Sequence, residues 1–130
     1  MCRADVSGIF VTKPQPVTVV VGEDAKMLCQ SDNETAVNWK VRLFSSAGEG
    51  ERVCYNGEIL SGHTNKYSIN NDRTNKLYKA YNLVIHNAGS NDAGEYTCTE
   101  HAGIGLSASA NLSVTSSGKD CISLPCSFVS

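Results

Sequence analysis

The sequence predicts an all-β domain, and three observations lead to this fold class. Short runs of alternating apolar and polar residues recur along the chain, separated by Gly, Asn, Asp and Ser. No segment sustains an apolar stripe at helical spacing. A chain of 130 residues suits one domain with a single core, and about nine strands of ordinary length fit within it.

The first strands are predicted on either side of a turn at 22–24. Each shows the alternation of a half-buried strand, carried by Val17, Val19 and Val21 and then by Ala25, Met27 and Cys29. Val37, Trp39 and Val41 alternate with polar residues in a third strand, which ends at the turn-forming stretch 45–50. A returning strand is expected over 52–55.

The later strands are predicted near 58–60, at 66–69 and over a longer run from 77 to 86, in which Leu83 and Ile85 point inward. Strands at 95–100 and 106–115 follow, joined by a glycine-bearing hairpin loop at 102–105. The chain is therefore divided into an N-terminal arm at 1–8, a β domain at 9–115 and a Cys-containing tail at 116–130.

Composition and charge exclude several classes of partner. Eleven Lys and Arg against thirteen Asp and Glu give a net charge of −2, so no basic footprint for nucleic acid or an anionic membrane is expected. No apolar run has the length of a membrane span, so we expect no direct membrane insertion of this segment. Met1 precedes Cys2 without an apolar leader, which indicates a mature ectodomain whose signal peptide has been replaced.

The spacing of two cysteines, a tryptophan and a tyrosine is the most specific signal. Cys29 and Trp39 lie at inward positions of early strands, and Cys98 follows the run Asp92-Ala93-Gly94-Glu95-Tyr96-Thr97. This pattern resembles the immunoglobulin superfamily over roughly 9–115. The resemblance implies an immunoglobulin-like Greek-key β-sandwich with a disulfide between its sheets from Cys29 to Cys98, Trp39 against the sulfurs and Tyr96 bonded to the upstream corner.

The distance between Cys29 and Cys98 leaves space for two additional strands, which resembles the variable type of this fold. The resemblance further implies an ion pair between Lys66 and Asp92, with Arg73 as the other candidate partner. Two features depart from the family pattern. The run 103–105 lacks the flanking aromatic and Thr of an antigen-receptor joining segment, and Glu100 has inward parity, so it should reach water or a cation.

The pairing of the other four cysteines stays open, with three possibilities once Cys29 and Cys98 are joined. These residues are Cys2, Cys54, Cys121 and Cys126. One arrangement clamps the sheet edge at Cys54 with a tail cysteine, and another closes a local loop between the two tail cysteines. The sequence has no Cys-x-x-Cys pair, and His63, His86 and His101 lack ligand spacing, so no metal or other cofactor is expected.

The sequence contains no constellation for catalysis, so we expect a protein that is not an enzyme. It has no nucleophile elbow, no zinc-protease motif and no phosphate-binding loop. Two sequons predict glycosylation, at Asn33 in the loop before the Trp39 strand and at Asn111 on the outward side of the last strand. Both triplets also occur by chance in unmodified chains.

Function is therefore expected to reside on the surface of the front sheet. The residues predicted at its outward positions are basic or polar, with one tyrosine as an aromatic anchor. They are Asn38, Lys40, Arg42, Arg52, Tyr55, Thr97, Thr99 and His101. Tyr and Arg are enriched where binding energy concentrates. The competing interpretation is an ordinary solvated sheet face.

We therefore expect an extracellular recognition or adhesion domain, the ectodomain of a cell-surface receptor that binds a protein partner. The chain is also similar in general pattern to hydroid allorecognition receptors, whose outer domains bind themselves across cells. That resemblance implies a self-complementary face, on which Lys40 and Arg42 meet Glu49, Glu51 or Glu58 of a second copy. The alternative is a secreted variable-type effector that recognises microbial carbohydrate.

Overall fold

The computed structural model describes residues 10–31, 35–46, 48–101 and 106–116. Within these ranges the secondary structure is strands and one short 3₁₀ helix, Ser90–Asp92. The strands in chain order are β1 (Phe10–Thr12), β2 (Val17–Val20), β3 (Ala25–Met27), β4 (Gln30–Ser31), β5 (Val37–Leu43), β6 (Glu51–Tyr55), β7 (Glu58–Ile59), β8 (Tyr67–Asn70), β9 (Asn82–Ile85), β10 (Gly94–Glu100) and β11 (Ser107–Thr115). No helix in this part of the chain could cross a membrane.

The strands form the two layers of an immunoglobulin-like sandwich. The front layer is a six-stranded sheet in the order β2-β11-β10-β5-β6-β7, antiparallel except where β2 runs parallel to β11. The back layer contains the sheet β3-β9-β8 and the pair β1-β4. The all-β sandwich predicted from the pattern of short strands is confirmed.

Two of the predicted strands differ in extent from the observed ones. The run expected from 77 to 86 is strand only over Asn82–Ile85, and Leu77 lies 77% exposed. The preceding residues instead fold as a loop around the buried side chain of Gln30. The strand predicted through Ala25, Met27 and Cys29 is β3 over Ala25–Met27 only, and Cys29 lies between β3 and β4.

The core lies between the layers around the disulfide from Cys29 to Cys98. Trp39 is fully buried beside it, and the indole Nε1–H donates to the Tyr81 carbonyl at 2.9 Å. This bond satisfies the one polar group of a large buried ring. Leu83 and Ile85 point inward as predicted, and both are fully buried.

A second buried arrangement closes the lower end of the sandwich. The Tyr96 hydroxyl donates to the Asp92 carbonyl at 2.6 Å. The Asp92 carboxylate accepts from Lys66 Nζ at 2.7 Å and from the Gly89 N–H at 2.7 Å. Of the two cations considered from sequence, Lys66 makes the pair, while Arg73 donates to the Lys76 carbonyl. These bonds tie the turn before β10 to both layers.

Candidate functional site

The outward side of the front sheet, here called the front face, is built by strand register. Lys40 of β5 lies opposite Thr97 of β10 on one side and Arg52 of β6 on the other. Arg42 lies opposite Glu95, and Asn38 lies opposite Thr99. Because directly paired residues project to the same side of a sheet, the predicted polar and basic residues of these strands share one face.

Arg52 and Tyr55 are three residues apart, so in a regular strand they would point to opposite sides of the sheet. A β-bulge in β6 places both on the front face. Trp39 pairs with Cys54 and Lys40 pairs with Arg52, so Val53 is an extra residue in β6. Val53 and Cys54 are both buried, while the residues on either side are exposed. The extra residue resets the alternation and brings both binding candidates outward.

Four side chains at the upper end of the front face form what we call the aromatic cluster: Asn38, Arg52, Tyr55 and His101. The rings of Tyr55 and His101 meet edge to face, with centroids 4.7 Å apart and planes at 87°. The Arg52 guanidinium lies 5.2 Å from the Tyr55 ring centroid, within the range of a cation–π contact. Residues from three strands are thereby held in one arrangement.

Asn38 and a tight turn fix the position of this cluster. The Asn38 Oδ1 atom accepts from the Asn56 N–H at 2.7 Å and lies 3.2 Å from His101 Nδ1. Asn56 and Gly57 both have positive φ, 52° and 80°, as required at the two central positions of a type I′ hairpin turn. The His101 N–H donates to the Ala36 carbonyl at 2.9 Å. The cluster therefore rests on backbone bonds and is not carried by a free loop.

A shallow groove of about 300 Å³ runs below the cluster. Its lining consists of charged and hydroxyl side chains: Lys40, Arg42, Glu49, Glu95, Thr97, Thr99 and Ser107. Arg42 and Glu95 form an exposed ion pair at 3.0 Å. The hydroxyls pair across β10 and β11, with Thr97 2.7 Å from Ser109 and Thr99 2.8 Å from Ser107. The groove is thus polar and contains charges of both signs.

The acidic residues expected to complement the basic ones divide between two sides of the sheet. Glu58 pairs with Tyr55 in register and so belongs to the front face, and Glu49 lines the groove. Glu51 instead pairs with Val41, whose side chain is buried, and its carboxylate lies 3.0 Å from His63 Nε2. Glu51 therefore does not share the outward register of the front face, while Glu49 and Glu58 do lie on that side.

Asn111 is exposed on the front face, where it lies opposite Glu95. A glycan at this position would cover the lower end of the face, and its attachment stays a prediction. The other predicted glycosylation site, Asn33, lies outside the described residues, as do Cys2, Cys121 and Cys126.

Cys54 is a free, fully buried thiol beneath the front face. Its Sγ lies 3.7 Å from the Val37 carbonyl oxygen, and burial raises its pKa to about 11. The hypothesis of an edge clamp at Cys54 is therefore not supported, because the bulge turns its side chain inward.

Glu100, the inward-facing carboxylate of β10, is only 2% exposed. Among the described residues its partners are the Ser31 hydroxyl at 2.6 Å and the Leu106 N–H at 3.4 Å. Within the described ranges the expected cation is not among these partners, and a hydroxyl and a backbone N–H bind the carboxylate. The carboxylate links β4 to the ends of β10 and β11.

The described residues contain no group of three or more side chains able to hold a metal ion. The front face offers a fixed aromatic anchor, a polar groove and charges of both signs. Such a surface is suited to non-covalent binding of another macromolecule, since anchored Tyr and Arg side chains contribute binding energy at low entropic cost.

Comparison with known proteins agrees with this architecture. The immunoglobulin V-set domain model matches residues 12–115, and the chain belongs to the immunoglobulin V-set family. This family is non-catalytic, and disulfide-bonded V-set domains are typical of extracellular proteins. A search of curated proteins finds no significant match.

Similar solved structures are immunoglobulin domains, several of them from cell-surface adhesion proteins. The RIG-5 IG1 homodimer has a TM-score of 0.69 at 16% identity, covering 85% of this chain and 99% of that one. Dpr1 IG1 bound to DIP-eta IG1 has a TM-score of 0.66 at 20% identity, covering 85% and 97%. The titin M10–obscurin-like 1 complex has a TM-score of 0.58 at 22% identity, covering 85% and 96%. At these identities the likeness concerns the fold.

Proposed function

We propose that this domain is an extracellular recognition module that binds a protein through its front face, and that the partner is a second copy of the same domain on an opposing cell. The observation that carries the proposal is the aromatic cluster. Tyr55 is 46% exposed, yet its ring contacts Arg52 and His101, and Asn38 in turn contacts His101. An exposed ring that is already immobilised loses little entropy on binding.

The charges of the front face are compatible with a twofold pairing of two copies. Lys40 and Arg52 supply positive charge and make no ion pair with the described residues, while Glu58 and Glu49 lie on the same side of the sheet. In a twofold interface a residue away from the axis contacts a different residue of the partner, and that contact occurs twice. Cations of one copy could therefore face carboxylates of the other. Such complementary charges speed the association of the two copies and fix their relative position.

The structural neighbours lend support at the level of the fold. The RIG-5 IG1 domain forms a homodimer, and Dpr1 IG1 binds a different immunoglobulin domain, DIP-eta IG1. Domains of this fold therefore can bind other immunoglobulin domains, including a second copy of themselves. Self-binding between cells, as the resemblance to allorecognition receptors implies, is the form of the proposal that we favour. In that form, differences at Tyr55, Arg52 or Glu58 between variants of the domain would distinguish self from non-self.

The alternative of a secreted effector that recognises microbial carbohydrate has weaker support. Sugar rings stack on open aromatic surfaces, and Tyr55 is the ring that the front face offers. Arg52 lies over this ring and His101 packs against it at a right angle. Arg52 thus competes with a sugar for stacking on this ring.

A bead-aggregation assay tests the proposal. Beads of two colours that carry the same domain should form mixed clusters, and the substitution Arg52→Glu should abolish them. Lys26→Glu is the matched control, because Lys26 is exposed on β3 of the back layer and the change in charge is the same. The absence of wild-type clusters, or an equal loss with Lys26→Glu, would refute self-recognition through the front face.

A further inference from the structure

Positive charge is concentrated in the loop between β8 and β9. Arg73, Lys76 and Lys79 lie within seven residues and are all exposed. The only acidic residue between Ile59 and Asn91 is Asp72, and its carboxylate accepts from the Asn70 side chain. Within the described ranges none of the three cations pairs with a carboxylate. A chain of net charge −2 thus has a distinctly basic segment.

This loop is held in one shape by a buried amide. Gln30 is 1% exposed, and its Oε1 accepts from the Thr74 hydroxyl at 2.9 Å and the Asn75 N–H at 3.1 Å. Its Nε2 donates to the carbonyls of Asn75 at 2.5 Å and Tyr78 at 2.6 Å. A loop fixed by four bonds to one core side chain presents its charges with little ordering cost on binding.

Two of the cations line a common groove of about 280 Å³. Arg73 and Lys79 flank it together with Asn71, Ala80 and Tyr81. The Asn71 Nδ2 donates to the Ala80 carbonyl at 2.8 Å and braces its wall. The groove shares no residue with the front face, so it is a separate surface of the domain.

We propose that this groove binds a sulfated polysaccharide. Arg73 matches the geometry of an oxyanion with a planar fork of donors, and Lys79 supplies a second cation beside it. An open groove lined by two cations suits an elongated chain that carries sulfates at intervals. A disulfide-bonded V-set domain is typical of the extracellular space, where such chains are abundant.

Other polyanions fit this surface less well. Leu77 is a single exposed apolar side chain at the loop, which is too little to insert into a bilayer. Tyr78 and Tyr81 are partly buried and do not offer the open stacking platform that single-stranded nucleic acid uses. The inference does not depend on the proposed self-recognition, since the two surfaces have no residue in common.

Binding of the purified domain to immobilised heparin at physiological ionic strength tests the proposal. Saturable binding is expected, weakening as salt rises because counterions are released from the polyanion. Desulfated heparin should bind far less. The double variant Arg73→Gln/Lys79→Gln should weaken binding about tenfold, since two exposed charge contacts contribute roughly 1.4 kcal/mol together.

The control is the single variant Lys26→Gln, which removes one exposed charge from β3 and should retain most of the affinity, whereas the single variants Arg73→Gln and Lys79→Gln should each weaken binding. Thermal unfolding of each variant shows that the fold persists. Three results would overturn the proposal: no binding of the wild type, equal weakening by Lys26→Gln and by Arg73→Gln and Lys79→Gln, or binding to anionic lipid vesicles or single-stranded DNA in preference to heparin.

Discussion

The imidazole of His101 stands at 87° to the ring of Tyr55, with the ring centroids 4.7 Å apart. His101 directly follows β10, Tyr55 is the last residue of β6, and β5 lies between these two strands. The contact therefore spans three strands of the front sheet at its upper end. It orders an exposed tyrosine before any partner arrives, which is the feature on which the proposed recognition depends.

The buried ion pair should contribute far more to stability than the exposed one. Asp92 Oδ2 lies 2.7 Å from Lys66 Nζ with only 12% of its side chain exposed. We expect Asp92→Ala to reduce the free energy of unfolding by about 2–3 kcal/mol, because the Gly89 N–H and the partly exposed Lys66 lose their partner. Arg42→Ala, which breaks the exposed pair with Glu95, should cost about 0–1 kcal/mol. Urea unfolding measures the loss of unfolding free energy in each variant. Equal losses for Asp92→Ala and Arg42→Ala would contradict this account.

Alkaline pH should destabilise the fold through Tyr67. Burial, with the nearby Asp92 charge as a smaller cause, raises the pKa of Tyr67 from 10.0 to about 12. Because the folded state holds this proton more tightly, its contribution to stability is complete below pH 10 and is lost as the pH rises towards 12. The free energy of unfolding should therefore fall less steeply with pH in Tyr67→Phe than in the wild type, by up to about 1.4 kcal/mol per pH unit. An unchanged slope in unfolding curves between pH 10 and 12 would show that the phenol does not titrate in this way.

Cys54 should resist thiol reagents in the folded protein. Its side chain is fully buried and its pKa is raised to about 11 by desolvation, so little thiolate is present or accessible at neutral pH. Iodoacetamide should label it only after denaturation. A non-reducing peptide map shows whether the Cys54 peptide is labelled or disulfide-linked. Recovery of Cys54 joined to Cys2, Cys121 or Cys126 would contradict the assignment of a free thiol.

A glycan placed in the middle of the front face should block recognition, whereas one at Asn111 should not. Asn111 lies opposite Glu95, about 20 Å along β10 from His101 at the rise of a strand. Thr97→Asn creates a sequon with Thr99 beside the groove. In a glycosylating host, Asn111→Gln should leave self-clustering intact and Thr97→Asn should abolish it. Persistent clustering with a confirmed glycan at position 97 would place the interface elsewhere.

The sequence pattern was sufficient for the sandwich and for most of the front face. Cys29, Trp39 and Cys98 have a spacing that few folds accommodate, and the strict alternation along β5 and β10 assigned outward positions correctly. Regular strands have a period of two, so their sides can be read directly from the order of residues.

Features that break this period escaped prediction. The bulge at Val53 inverts the parity of Cys54, and no local residue type marks it. The run 77–86 has strand-like composition, yet its first residues form a loop in which the Tyr78 carbonyl bonds Gln30, a tertiary contact that local propensity does not contain. Glu100 found a hydroxyl partner from a strand far away in sequence. Each case depends on contacts that form only when the layers are assembled.

Sedimentation velocity over a range of concentrations tests the central claim most directly. The wild-type domain should shift from monomer to dimer as concentration rises, and Tyr55→Ala should keep it monomeric at every concentration used. Leu77→Ala, which removes a more exposed apolar side chain from the back-layer loop, should dimerise like the wild type. A wild-type domain that stays monomeric, or a Tyr55→Ala variant that dimerises as well as the Leu77→Ala variant, would contradict recognition through the aromatic cluster.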